Sequence, residues 1–514
     1  MMLVFSALSL QRASARSALK FQVDRFFPVL ICAIILPVFS GRCENTSQTS
    51  SEQGSLKLTQ TYDLPAGIKG NFDHFEADLK RHRLFATLED YKAVLIFDTD
   101  TGKLIHEIHG ILRPHAVLYR PDVDRLYVTD GGDGSVKVFD GETYQQTARI
   151  PLLKDADSIG FDISRHYLYV DNGGGDVGQT YSMLSVIDTA ANSKLSDIKI
   201  EGDTLEAMTL DNYRPHIYIN DKAKNQVVVV DRFKNSIIAT WPITLGKQNV
   251  AMALDEQRQR LFIGCRGGQI VVLDSNTGKE LQALPIASGI DDLIYDAGTR
   301  RIYAAANGVV NVFEQTDLNH YTSLGSVPTG TNGRTAKLVP QLNRLFVAVP
   351  QDTAHNARIL VYQPINAPEP KPVPVEAKQP VDAPAAEKIA LETLSAHPLL
   401  RKIGLHAIPP GGEDMVIIAN GNATRIGIHT SQSDFAAVKS GGIYGPRIAD
   451  GEFYNMKMLM FDAQGRKIGI LVMEIACTDA VSEEDAAHKA AAIREEVAKQ
   501  IPNLASLFVT TAGD

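Results

Sequence analysis

Short runs of alternating hydrophobic and polar residues follow one another from Phe72 to Tyr362, and one run recurs seven times. It opens with a basic or bulky residue, continues with Leu or Ile, and reaches an aromatic at the third position. Alternating hydrophobic and polar residues, bounded on each side by Asp, Gly or Asn, are typical of β-strands. The aromatics are roughly 41 to 49 residues apart, the period expected of propeller blades; they are Phe85, Tyr127, Tyr169, Tyr218, Phe262, Tyr303 and Phe346.

A second apolar run follows the first in each repeat, at the same period. Two late copies end on Glu314 and Gln363, and five copies end on aspartate, at Asp98, Asp140, Asp188, Asp231 and Asp274. Two interleaved patterns in register predict seven units of four strands each. We therefore expect an all-β seven-bladed β-propeller over residues 55–364, followed by a small α+β domain.

The last predicted blade lacks a fourth strand after Tyr362. The segment SLKLTQTYDL, residues 55–64, precedes the first blade and alternates correctly. Pairing it with the last blade would close the ring and remove an exposed sheet edge, which otherwise invites aggregation. We expect residues 55–64 to complete the last blade.

Basic residues occur at Arg12, Arg16, Lys20 and Arg25, and an uninterrupted apolar run covers 26–39. A membrane span needs about 20 apolar residues, so this run is short for one and typical of a signal-peptide core. Residues 1–40 are predicted to be a signal peptide and 41–54 a flexible leader, which places the protein in the periplasm or outside the cell. Membrane attachment is expected only if this segment is retained or Cys43 is acylated. Arg42 argues against acylation, because a small residue usually precedes the acylated cysteine of a lipoprotein.

Residues 365–386 are rich in Pro and Ala and predict an extended linker that permits independent domain motion. Residues 387–514 predict a sensor-sized α+β domain. Its helices are expected over 390–403 and 482–500, and a strand hairpin turns at Asp462–Gly465.

Asp124-Arg-Leu-Tyr-Val-Thr-Asp130 followed by Gly134-Ser-Val-Lys-Val-Phe-Asp140 resembles the bacterial YVTN/YncE-like propeller family over about residues 55–364. The resemblance implies the fold and says little about activity, because one fold hosts many functions. The C-terminal layout of helix, central hairpin and closing helix resembles Cache/PAS-like sensor domains.

Composition narrows the functional classes. A formal net charge of −9 argues against a large nucleic-acid surface, which needs clustered Lys and Arg. The four cysteines form no CxxC pair, and no GxSxG, Walker or HExxH motif stands in a fitting context.

The starts of the innermost strands ring the axial mouth of a propeller, and a lengthened Asp171–Asp176 loop is expected to overhang it. The predicted mouth residues are His74, His115, Glu206, Asn249, Asp292, Arg334, Asp171 and Asp176. Imidazole and carboxylate suit divalent cations, so His74, His115, Glu206 and Asp292 are candidate metal ligands and a divalent metal ion is the candidate cofactor. The same groups equally suit a polar small ligand or a hydrated channel.

In the C-terminal domain, polar and basic side chains are candidates for binding a small anion, because Arg holds carboxylate with two bonds. They are His406, Arg425, Arg447, Tyr454 and Lys457.

Recognition of a small molecule or a partner protein, without turnover, is the favoured function. The alternatives are a propeller enzyme of the dehydrogenase or hydrolase kind at the mouth, and a cell-surface interaction scaffold. An enzyme predicts an enclosed mouth with shifted pKa values, a binding protein an open funnel with exposed aromatics, and a scaffold an apolar patch on the flank.

Overall fold

The computed structural model describes residues 54–509, except 164, 212–213, 233, 257, 368–377, 439–442, 444, 446 and 449–451, and except the side chains of 432, 436 and 447. The predicted signal peptide and all but the last residue of the leader lie outside this part. No described helix is long and apolar enough to cross a membrane.

Residues 56–364 are almost wholly β-structure. The strands in chain order are β1 (Leu56–Asp63), β2 (Phe72–Asp78), β3 (Arg83–Leu88), β4 (Ala93–Asp98), β5 (Leu104–Ile108), β6 (Pro114–Arg120), β7 (Arg125–Asp130), β8 (Ser135–Asp140), β9 (Gln146–Pro151), β10 (Ile159–Asp162), β11 (Tyr167–Gly173), β12 (Ser182–Asp188), β13 (Ser193–Ile200), β14 (Leu205–Leu210), β15 (His216–Asp221), β16 (Gln226–Asp231), β17 (Ser236–Pro242), β18 (Asn249–Asp255), β19 (Arg260–Cys265), β20 (Gln269–Asp274), β21 (Glu280–Pro285), β22 (Asp292–Asp296), β23 (Arg301–Ala306), β24 (Val309–Gln315), β25 (Tyr321–Pro328), β26 (Thr335–Val339), β27 (Arg344–Val349) and β28 (Arg358–Pro364).

These strands form four-stranded antiparallel sheets arranged like the blades of a propeller. From β2 to β25, each successive set of four strands is one sheet in chain order. The first strand of each sheet packs beside the first strand of the next, and β26 packs beside β2. The inner strands therefore form a closed circle.

The remaining sheet closes the circle with both ends of this part of the chain. Its order is β1-β28-β27-β26, and β1 pairs antiparallel with β28 from Leu56 opposite Pro364 to Asp63 opposite Arg358. The prediction that residues 55–64 complete the last sheet is confirmed.

The two sequence patterns have separate structural roles. The seven aromatics are almost completely buried and fill the space between neighbouring sheets. The aspartates end the third strand of a sheet and hold the following turn: Asp98 Oδ1 accepts bonds from Thr101 N and Oγ1, both at 2.7 Å. Asp140 with Thr143 and Asp274 with Thr277 repeat this turn.

The described residues of the C-terminal part form a five-stranded sheet and three helices. These are α1 (Pro384–Ala396), β29 (Leu400–Ala407), β30 (Val416–Asn420), α2 (Gln432–Val438), β31 (Arg447–Ile448), β32 (Phe453–Phe461), β33 (Lys467–Ala476) and α3 (Glu483–Lys499). The sheet order is β30-β29-β33-β32-β31. Helices α1 and α3 bury the main core against one face, and Val438 of α2 packs on Ile470 and Val472 of the other.

The structure differs from the sequence expectation at the start of this part. Helix α1 begins at Pro384, inside the predicted linker, and Leu400–Ile403, predicted as helix, lies in β29. The helix ends before His397-Pro398 because a proline disfavours helical geometry in the residue before it. Lys378 already pairs with Ile428 and Gln379 N donates to Gly427 O, so the end of the predicted linker is part of the fold.

The C-terminal part packs on the propeller-like ring. Ser395 Oγ donates to Asp231 Oδ2 at 3.0 Å and accepts from Lys234 Nζ at 3.0 Å. Arg214 Nη2 donates to Leu400 O at 3.4 Å. Arg214 lies in the turn after the inner strand β14, and Asp231 and Lys234 lie at the turn between β16 and β17. Both turns are at the strand ends opposite to the predicted mouth.

Candidate functional site

Irregular strand starts shape the mouth of the ring. In β2, the pairing with β3 passes from Phe72 opposite Leu88 to Phe75 opposite Ala86, so Asp73 and His74 together face one residue, Thr87. The Thr87 hydroxyl accepts from His74 N at 2.8 Å and donates to His74 O at 3.2 Å. Such bulges redirect side chains, and here both Asp73 and His74 line the mouth.

The same irregularity recurs in β6, β14 and β18. At the β6 bulge, Thr129 of β7 has the role that Thr87 has at the β2 bulge: its hydroxyl accepts from Ala116 N at 2.8 Å. Each of these bulges lies at the first residues of an inner strand. The bulges in β2, β6 and β14 therefore help to bring His74, His115 and Glu206 to the mouth.

The mouth is a cavity of about 340 Å³. Of the predicted residues, His74, His115, Glu206, Arg334 and Asp176 line it. The other lining residues are Asp73, Glu89, Arg113, Asp155, Asp157, Ser158, Gly175, Asp203, Thr204, Leu205, Ala207, Lys222, Val250, Arg266 and Asp291. This lining contains no Phe, Tyr or Trp and is rich in ionisable groups, unlike the aromatic funnel expected of a binding protein.

Three predicted residues lie beside the cavity without lining it. Asn249 is fully buried, and its amide donates to Asn220 Oδ1 and Gln226 O, both at 2.9 Å, which is a structural role. Asp292 accepts from Ala336 N at 2.6 Å and lies 3.9 Å from His74 Nδ1. Asp171 is buried, and its backbone carbonyl accepts from Asp157 N at 3.2 Å.

His115 lies between two carboxylates. Its Nδ1 is 2.6 Å from Asp73 Oδ2 and 3.7 Å from Asp157 Oδ1. Burial favours the neutral ring, but the charges of Asp157 and Asp73 outweigh it and raise the pKa of His115 to about 10. Nδ1 therefore donates to Asp73. Burial raises the pKa of Asp73, but His74 and the bond from His115 lower it to about 2.

The second histidine belongs to the same cluster. Burial opposes the protonation of His74, while Asp73 and Asp292 favour it, so its pKa is raised. One ligand atom from each of Asp73, His74 and Asp157 lies within 4.8 Å of the others, and the same holds for Asp73, Glu89 and His115. The predicted metal set of His74, His115, Glu206 and Asp292 thus differs from the groups that the structure assembles.

Glu206 and Arg334 are engaged by oppositely charged neighbours. Glu206 pairs with Lys222 at 2.5 Å. Arg334 lies 3.2 Å from Asp291, which also pairs with Arg266 at 2.7 Å. These pairs neutralise one side of the mouth.

The opposite side holds carboxylates with raised pKa values. Burial, opposed by His115 and assisted by Asp73, raises the pKa of Asp157 to about 6. Burial and the charge of Asp157 raise the pKa of Asp155 to about 6. Asp292, which lies next to Asp291 and outside the lining, also has a raised pKa: burial raises it to about 7, against the charge of His74. This side carries more negative charge than its partners compensate.

Sequence reasoning missed several lining residues. Asp73 was missed because strict alternation turns it away from His74, and only the bulge brings both inward. Glu89, Arg113 and Arg266 lie in connections between strands, where no pattern marks orientation. The Thr at the fifth position of RLFAT and RLYVT is the available signal, since it accompanies the two bulges nearest to the cluster.

A second pocket of about 240 Å³ lies on the α2 side of the C-terminal sheet. It brings together the predicted residues His406, Arg425 and Lys457 with Lys402, Ile417, Asn420, His429, Ser431, Ser433, Asp434, Asn455 and Val472. Lys457 Nζ pairs with Asp434 at 2.6 Å. Burial, opposed by Asp434 and assisted by Lys402, lowers the pKa of His406 to about 4.

The other two predicted residues of this domain are placed differently. Tyr454 is buried in the core on the opposite face of β32, because neighbouring residues of a strand point to opposite faces and Asn455 and Lys457 face the pocket. Arg447 lies in β31, which pairs with β32, and its side chain lies outside the described part.

Comparisons with known proteins support the ring. No family model matches the chain. It is 24% identical over 223 residues to the uncharacterized protein YncE of Salmonella typhimurium and to that of Salmonella typhi, and both matches cover 42% of this chain. The aligned part spans 60% of these curated relatives, less than two thirds of their length.

Among solved structures, a chain of a mitotic checkpoint complex is 14% identical with a TM-score of 0.50, covering 64% of this chain and 98% of its own. The RRP9 WD40 repeats are 13% identical with a TM-score of 0.49, covering 60% of this chain and 97% of their own. The first of these shows a shared fold and nothing about function. The chain is a mostly-β, propeller-like protein with weak similarity to YncE.

Proposed function

We propose that the chain is an exported recognition protein in which a seven-bladed β-propeller binds a small polar ligand at its axial mouth. The observation that carries this proposal is the charge of the cavity. Its lining includes eight carboxylates against four Lys and Arg side chains and two histidines. A ligand that carries positive charge complements such a lining, so we propose a small amine as the ligand class.

Access to the mouth supports the proposal. The C-terminal part contacts the ring through Asp231, Lys234 and Arg214, at the opposite strand ends. A ligand can reach the mouth without displacing this part. A rigid ring with such a preformed cavity is suited to binding without large rearrangement.

The C-terminal part is proposed to be a Cache/PAS-like sensor domain that binds a small anion. Its pocket holds Lys402, Arg425 and Lys457, against the carboxylate of Asp434. Asn420 is 4% exposed, and its Nδ2 has no hydrogen-bond partner within the described residues. A ligand carboxylate in the pocket would satisfy this donor.

Export rests on the predicted signal peptide of residues 1–40. Placement in the periplasm or outside the cell fits a protein that senses small molecules. Western analysis of fractionated cells tests it: the processed chain is expected outside the cytoplasm.

Two ligand classes and two variants test the binding proposals together. Amines are expected to bind the full chain, and Asp155→Asn is expected to weaken them at least tenfold, about 1.4 kcal/mol, while Lys402→Met leaves them unchanged. Carboxylic acids are expected to show the reverse pattern. Isothermal titration in the presence of a chelator measures both, and binding that neither variant changes would contradict the assignment.

The second candidate function is acid–base catalysis at the mouth. The histidines and carboxylates that converge there are the groups such catalysis uses, and the raised pKa values of His115, Asp155 and Asp157 are of the kind that an enzyme predicts. Turnover of a bound amine, followed by mass spectrometry, would favour this function over recognition.

A further inference from the structure

One group of mouth side chains has the composition of a metal site. Asp73, His74 and Asp157 contribute one imidazole and two carboxylates, with one ligand atom of each within 4.8 Å of the others. Ligands about 2.0 to 2.2 Å from an ion lie at most about 4.3 Å apart, so small side-chain rotations close the group. We propose that this group binds one divalent transition-metal ion, an inference that rests on the proposed ligand site at the mouth.

The three side chains are available for an ion. All three are half-buried and line the cavity, so they remain open to solvent from one side. The nearest charged partner of the His74 ring in the described residues is Asp292, at 3.9 Å, beyond hydrogen-bond range. Once deprotonated, the His74 ring therefore has a nitrogen to offer an ion.

The alternative group is less available. His115 Nδ1 already donates to Asp73 at 2.6 Å, and Glu89 already pairs with Arg113 Nε at 3.3 Å. His115 Nε2 has no hydrogen-bond partner within the described residues, but His115 is only 4% exposed, so an ion reaches it less readily than it reaches the half-buried first group. The bond from His115 instead holds Asp73 by one oxygen and leaves its second oxygen for an ion, the kind of outer contact that orients metal ligands.

Buried polar atoms behind the group point the same way. Asp171 is 2% exposed, and its Oδ1 has no hydrogen-bond partner within the described residues, while its backbone is bonded to Asp157. Oδ1 is therefore a buried acceptor without a donor, and such groups commonly mark a bound water or ion.

The donor set selects among metals. Mixed imidazole and carboxylate ligands suit Zn²⁺, Mn²⁺ and their neighbours, whereas Ca²⁺ and Mg²⁺ prefer oxygen alone. Three protein ligands also leave coordination positions open toward the cavity, where water or the neutral form of the proposed amine would complete the sphere.

Isothermal titration of the purified, chelator-treated chain with ZnCl₂, MnCl₂ and CaCl₂ tests the proposal. We expect one Zn²⁺ or Mn²⁺ per chain, bound at least tenfold more tightly than Ca²⁺. His74→Gln and Asp157→Asn should each weaken this binding at least tenfold. Glu206→Gln, a mouth carboxylate already paired with Lys222, is the matched control and should change it less than threefold.

Thermal melting of every variant without metal separates loss of the site from loss of the fold. If His74→Gln melts early, Asp157→Asn still tests the site, because it preserves the shape of the side chain. Absence of saturable binding, or equal binding by wild type and both variants, would overturn the metal site. Because the amine titrations are done with a chelator present, metal failure with intact amine binding overturns this inference alone. Metal binding without amine binding overturns the proposed function alone.

Discussion

Gly102 shows how a single residue secures the ring. It has a φ of +72° in the turn that Asp98 holds, and a Cβ there would lie 2.2 Å from Tyr62 Cδ1. Tyr62 belongs to the closing strand β1, and its hydroxyl donates to Thr99 O at 2.7 Å. The turn of the first sheet therefore packs directly on the strand that closes the last.

Gly102→Ala is expected to destabilise the chain by about 2 to 4 kcal/mol, because it adds a clash to backbone strain. Gly110→Ala is the matched control: its φ is +86°, but a Cβ there meets open space, so about 1 kcal/mol is expected. Urea unfolding followed by circular dichroism measures both. Equal losses would contradict the packing of this turn on Tyr62.

Sequence alone located part of the mouth because the aromatic repeat fixes where each inner strand starts. Reading back from Phe85 and Tyr127 gave His74 and His115. Asp73 was out of reach because a bulge breaks the period of two on which such reading depends. Tyr454 could have been assigned correctly, since it alternates with Asn455 and Lys457 along one strand.

At the scale of elements, alternation located the strands well and helix ends poorly. Residues 55–64 were recognisable as the closing strand because they alternate and the last sheet lacked an edge. The start of α1 was misjudged because its first turn, Pro384-Ala-Ala, reads as a continuation of the Pro/Ala-rich linker, although Ala386 is fully buried.

Removal of β1 tests its closing role. A chain beginning at residue 66 loses the burial of Leu56 and Tyr62 and exposes the edge of β28, so a loss of about 5 kcal/mol and aggregation are expected. A chain beginning at residue 54 is the control and should melt cooperatively. Thermal melting with light scattering compares them, and identical behaviour would contradict closure by β1.

At the scale of the whole molecule, the ring presents two distinct ends. One end holds the cavity with its excess of carboxylates, and the other carries the contacts to the C-terminal part. The linker composition permits independent motion and left the coupling of the two parts open, because linker composition does not report the contacts made by the elements beyond it. The structure joins Ser395 to Asp231 and Lys234.

Hydrogen–deuterium exchange of the full chain, with and without the tightest-binding amine, tests the central claim that the mouth is the recognition site. Protection is expected in residues 72–76, 113–117 and 155–158, which carry the cavity-lining side chains. Protection confined to the C-terminal part, or to the turns around Arg214 and Asp231, would contradict the claim.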